Sequence, residues 1–163
     1  RDASATGDVI LSGNSTFDLN TYVYVGDSGG AVGNITMQDS AMLTGENISL
    51  RSGSYLNFIL DIGSSSMMSF STTDSTENSF DGIINLSFAG VSTQGTYDLI
   101  DFDADMTGTD ITGLLSTTSA SAGWNLDMVE DGSGSILQAT YVPEPTTLAV
   151  LALGGIGILR RRK

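Results

Sequence analysis

The chain has 163 residues, no cysteine, no histidine and a formal net charge of −13, with nineteen acids against six cations. Without cysteine there are no disulfides, thiol nucleophiles or thiolate metal ligands, and without histidine neither a Ser-His-Asp nor a Cys-His pair can form within the chain. Four of the six cations stand at 160–163, so residues 1–143 hold two arginines against eighteen acids, a net charge of −16; a surface that acidic repels phosphates and excludes nucleic acid as a partner.

The sequence begins at Arg1, and its first twenty residues contain no basic stretch followed by an apolar core. A chain that starts with neither Met nor such a leader is expected to be a processed or N-terminally truncated form. Short apolar or alternating runs then recur at 9–11, 16–19, 22–25, 35–37, 42–44, 48–50, 55–62, 67–70, 83–88, 96–102, 124–129 and 136–141. Clusters of Gly, Asn, Asp and Ser separate them and turn the chain. No stretch of twelve residues before the tail carries helical periodicity. Twelve short strands predict an all-β body over residues 1–141.

Gly13-Asn14, Gly33-Asn34 and Gly53-Ser54 lie twenty residues apart, each ahead of an alternating run. A period near twenty is what one rung of a parallel β-helix or solenoid requires. The segment from Tyr24 through Gly30, followed by Gly33-Asn34-Ile35-Thr36-Met37, resembles the repeats of autotransporter passenger-like surface proteins. The solenoid is expected over residues 1–75, with an antiparallel β-sandwich as the alternative fold. Longer strands follow behind glycine-led turns, and Asp131-Gly132 is placed to join the last two as a hairpin. The polar stretch 71–82 is a connecting loop and marks a sub-boundary in what otherwise reads as one domain.

The densest acidic cluster is Asp98, Asp101, Asp103, Asp105 and Asp110. Alternate carboxylates at Asp101, Asp103 and Asp105 begin a calcium loop, but Met106 stands where the sharp-turn glycine belongs and Thr112 where a bidentate glutamate would be. A solvated strand end is the plainer reading, and calcium at these three residues the one metal expectation; no other cofactor is expected. Tyr22 and Tyr24 share a strand face and offer either edge packing or a small sugar-stacking platform.

The tail is the most specific segment. Pro143 and Pro145 flank Glu144 and hold an extended spacer, because neither proline can sit inside a regular helix or central strand. Residues 146–159 are uncharged and built from Leu, Ala, Ile, Val, Gly and Thr, a short hydrophobic helix suited to hydrocarbon. Arg160, Arg161, Arg162 and Lys163 would stay on the cytoplasmic side as a stop. Fourteen apolar residues fall short of the roughly 20 needed for a comfortable span, a gap that snorkelling basic stems can narrow.

This arrangement resembles the PEP-CTERM sorting signal of exopolysaccharide-producing Gram-negative bacteria. The order of a Gly-x-Tyr-x-Leu-Ile strand and then a tryptophan strand before the Pro-Glu-Pro is similar to the membrane-proximal end of many such proteins. The resemblance implies that exosortase reads Pro143-Glu144-Pro145, with the inner membrane as a transient partner and exopolysaccharide as a candidate ligand. It implies export, membrane anchoring through residues 142–163, and then the cell surface or extracellular space. The expected function is that of a structural or adhesive protein of the cell envelope or matrix and not of an enzyme. The alternatives are a carbohydrate-binding module and a β-helix enzyme acting on polysaccharide through paired carboxylates.

Overall fold

The computed structural model of the protein describes residues 5–27, 29–61, 66–90, 92–132 and 134–143. Three short strands separated by turns make one rung. The first rung holds β1 (Thr6–Leu11), β2 (Thr16–Leu19) and β3 (Val23–Val25); the second holds β4 (Val32–Gln38), β5 (Met42–Gly45) and β6 (Ile48–Leu50). The third comprises β7 (Tyr55–Leu60), β8 (Met67–Phe70) and β9 (Ser79–Phe80), and a fourth begins with β10 (Ile83–Phe88) and β11 (Gly95–Phe102). Rungs stack in parallel into a β-solenoid with three faces: sheet A in the order β1-β4-β7-β10, sheet B beginning β2-β5-β8-β11, and sheet C in the order β3-β6-β9. The solenoid reading holds, and these parallel faces set aside the sandwich. It also runs past residue 75, through the polar stretch 71–82, which carries β9 and a 3-10 turn at Ser75–Glu77.

The period near twenty is corrected. Side chains that meet across successive rungs of sheet A are 26, 21 and 28 residues apart, as in Asp8–Asn34, Thr36–Asn57 and Asn57–Asn85. The glycines that suggested the shorter repeat occupy unlike places. Gly13 and Gly53 sit in turns at positive φ, whereas Gly33 lies within β4. The true repeat is carried by alternation within strands, while the turns between them vary freely in length.

Alternation sends every second side chain inward. Val9, Ile35, Leu56 and Ile84 form one column, and Leu11, Met37, Phe58 and Leu86 a second. Phe17, Leu43, Met68 and Ile100 stack beneath sheet B. Buried polar groups close the corners. Ser54 Oγ accepts from Gly33 N at 3.0 Å, and Asn78 Oδ1 accepts from Ile48 N at 2.9 Å. A buried N–H left without such a partner costs about 1–3 kcal/mol, so these contacts hold the strand spacing where ladders stop.

Beyond the fourth rung the topology changes. β12 (Trp124–Asp131) and β13 (Gly134–Tyr141) form the expected hairpin, and β13 adds antiparallel to β11, completing sheet B as β2-β5-β8-β11-β13-β12. β11 carries an irregularity between Asp98 and Ile100, which lets adjacent Leu99 and Ile100 both be buried. The segment between β11 and β12 crosses the far edge of sheet A. There Ile84 N donates to Leu114 O at 2.7 Å and Ser116 N to Ile84 O at 2.9 Å. A short helix, α1 (Thr117–Ser121), follows, capped by Ser116 Oγ accepting from Ser119 N. It brings buried Ser119 against β10, where its hydroxyl accepts from Leu86 N and donates to Leu86 O at 2.9 and 3.2 Å. Neither α1 nor β9 has a signal in the sequence strong enough to be read beforehand.

Candidate functional site

The tail leaves the body from a rigid base. Phe88, Tyr97, Trp124 and Tyr141 form one aromatic cluster, with ring centroids 4.9 Å apart for Phe88–Trp124 and Phe88–Tyr141 and 5.0 Å for Trp124–Tyr141. These residues come from β10, β11, β12 and β13, so the last strand is locked to three others where it ends. Val142 N then donates to Gly123 O at 3.0 Å. Gly123 has φ +97, and a Cβ there would run into the Val142 carbonyl oxygen, so this crossing requires glycine. Val142 and Pro143 are exposed immediately after it. Pro143 is therefore presented at the end of an anchored strand. Glu144, Pro145, the hydrophobic helix expected over 146–159 and the cations Arg160, Arg161, Arg162 and Lys163 lie outside the described residues. Among the described residues no helix is long and apolar enough to cross a membrane.

The family model of the PEP-CTERM protein-sorting motif matches residues 142–163. The tail is a PEP-CTERM sorting signal. It marks the chain as an exosortase-sorted, exported protein held at the membrane during sorting. No curated protein and no solved structure matches the chain. The PEP-CTERM match begins at Val142, the residue that follows β13, so the boundary between body and signal coincides with the last strand's end.

The acidic cluster resolves into separate parts. Asp101 lies on β11 opposite Ile136, and its carboxyl is pushed above the usual range by burial, then by the negative charges of Asp103, Asp131 and Asp98. Asp105 closes a turn instead: its carboxylate accepts from the Thr107 hydroxyl at 2.7 Å and from Thr107 N at 3.0 Å, which hold its pKa down. Asp110 does the same with Thr112, chiefly through the backbone N–H. Asp103 N donates to Phe70 O at 3.0 Å, continuing the ladder. Among the described residues no three carboxylates gather as a metal ion would need, and Asp101, Asp103 and Asp105 do not converge. The hydroxyl and N–H two residues on make Asp105 a turn-capping residue, a pattern visible in the sequence as Asp-x-Thr.

Tyr22 and Tyr24 lie on the outer side of sheet C, exposed, with centroids 6.0 Å apart and planes at 11°. Glu77 ties this face to its neighbours, accepting from Tyr22 Oη at 3.4 Å, Asn47 Nδ2 at 3.2 Å and Thr72 Oγ1 at 3.1 Å. Sequence reasoning missed the outer side of sheet A. There Asn34 Nδ2 donates to Asp8 Oδ1 at 2.6 Å, Asn57 Nδ2 reaches Thr36 Oγ1 at 3.4 Å and Asn85 Nδ2 donates to Asn57 Oδ1 at 2.8 Å. These residues are 26, 21 and 28 apart in sequence, and unequal spacing hides such a row from any fixed-period search.

Proposed function

We propose that the protein is a structural or adhesive β-solenoid of the cell envelope or extracellular matrix, delivered there by exosortase through its PEP-CTERM tail. The observation that carries this reading is the family match at residues 142–163, placed directly after a locked terminal strand. The solenoid supports it: its rungs are held by ladders and packed side chains, so it projects extended faces along its axis. Exosortase would act at Pro143-Glu144-Pro145, with Arg160, Arg161, Arg162 and Lys163 left on the cytoplasmic side.

The test is processing and display. With an export leader supplied, an exosortase-positive host should release a shorter product lacking the four terminal cations, visible by intact-mass spectrometry. Replacing Pro143 and Pro145 by alanine should slow that processing while leaving the melting temperature of the body unchanged, since both follow β13, whose last residue is Tyr141. Exported protein that retains Arg160 to Lys163 throughout would refute sorting. Normal processing with no product at the surface or in the matrix would refute the structural role.

A further inference from the structure

The outward positions of sheet A are poor in charge for so acidic a chain. Across β1, β4, β7 and β10 they carry one carboxylate, Asp8, and that one is engaged by Asn34 at 2.6 Å. The remainder are amides, hydroxyls and apolar groups. Two columns run along the solenoid axis: Asp8, Asn34, Tyr55 and Ile83 in one, and Ile10, Thr36, Asn57 and Asn85 in the other. A shallow groove of about 450 Å³ follows them over all four strands. Ile10 is 67 % exposed and Tyr55 38 % exposed, so apolar surface stands open beside the amides. The amides are already oriented by their row of hydrogen bonds, which lowers the cost of ordering them around a ligand.

We propose that this face binds a neutral polysaccharide laid across the four strands, with Tyr55 and Ile10 against the C–H faces of sugar rings and Thr36, Asn57 and Asn85 exchanging hydrogen bonds with hydroxyls. Three features select that ligand. Amides donate and accept, as vicinal hydroxyls require, and amphipathic aromatic groups suit a ring with an apolar face. Outward side chains follow one another at the strand spacing of about 4.8 Å, a step close to one sugar residue of an extended glycan, with Thr36, Asn57 and Asn85 consecutive in one column. Charge decides the class: a net −16 body with Asp8 at the groove repels uronates and sulfates, while a neutral chain meets no penalty. The proposal deepens the adhesive reading above and rests on it for its biological setting, but the binding itself is a property of the folded body.

Affinity electrophoresis and calorimetry on the purified full chain, in a sugar-free nonionic detergent, test it. Cellohexaose, laminarihexaose and mannohexaose are the neutral probes and polygalacturonate the anionic one. At least one neutral probe should bind and polygalacturonate should not. Tyr55→Ala and Ile10→Ser should each weaken binding roughly tenfold, whereas Tyr24→Ala, on sheet C, should leave it unchanged. Ile10→Ser alters a side chain too exposed to unfold the body, so it stays informative if Tyr55→Ala is unstable. No binding to any neutral probe, preference for polygalacturonate, or loss of binding in Tyr24→Ala alone would overturn the proposal. Binding by a chain that is never displayed would instead refute the envelope role and leave the glycan face standing.

Discussion

Val9 and Phe17 in the first rung each keep 43 % of their surface exposed, while Ile84 and Ile100, in the same two columns at the fourth rung, are fully buried. The residue types are alike; what differs is the cover. At the N-terminal end, β1, β2 and β3 are the outer members of their sheets, and a recess of about 620 Å³ opens among Val9, Phe17, Leu19, Val23 and Leu43. At the C-terminal end, sheet A is edged by the Leu114–Ser119 crossing and sheet B by the β12–β13 hairpin. In a stacked fold, a side chain's burial is set by the rung beside it, so within residues 5–143 stability should fall along the axis toward the first described rung, here the open end.

The largest effect should separate the two ends. Trp124→Ala removes the ring that joins Phe88, Tyr97 and Tyr141 at the closed end and should cost about 3–5 kcal/mol in denaturant titrations. Phe17→Ala at the open end should cost about 1 kcal/mol, because 43 % of the side chain is already exposed and the recess leaves little new cavity. Equal costs would mean that the open end is covered in solution, and the comparison would break. Hydrogen exchange sharpens it: amides of β1 and β2 should exchange well before those of β13.

A smaller effect probes how the closed end is pinned. Ser135 Oγ donates to Ala104 O at 2.8 Å and accepts from Met106 N, all buried. Ser135→Ala strands both backbone groups and should cost about 1–3 kcal/mol. A neutral result would show that water replaces the hydroxyl.

The smallest effect is electrostatic. Asp101 has a folded pKa above its unfolded value, so the folded state holds its proton more tightly and stability is lost as pH rises from the unfolded value through the raised one. Asp101→Asn should therefore raise the melting temperature slightly at pH 7 and not below pH ~3. Asp105 runs the other way: its depressed folded pKa adds stability above the unfolded value, lost as pH falls through the depressed one. Asp105→Asn should slightly lower the melting temperature at pH 7. The same sign for both variants would show that the two carboxylates share one environment after all.

All twelve strands read from the sequence are present, because alternation is local and each strand's inward set is apolar. The sorting signal was legible because its chemistry is contiguous. The repeat length was not: turns of a solenoid tolerate insertion wherever the strands still stack, so rungs of 21 and 28 residues coexist. β9 was invisible since two residues, Ser79 and Phe80, carry no pattern. α1 was invisible too; five residues rich in Ser and Thr form a helix only because Ser116 caps it and Ser119 anchors it to β10. The Asp101, Asp103 and Asp105 spacing suggested convergence, but Asp105 has left the strand for a turn with Thr107.

β13 is the strand from which the sorting tail departs, and it lies between β11 and β12 with ladders on both sides. A pull on the tail would reach the body first through β13, a strand paired on both sides. Where the pull runs along the strand, the two ladders are loaded in shear, so their hydrogen bonds share the force instead of opening one at a time. The aromatic rings at the exit add a plug that must be extracted in the same step. Such a pull would meet two ladders and four packed rings at the point where the tail begins.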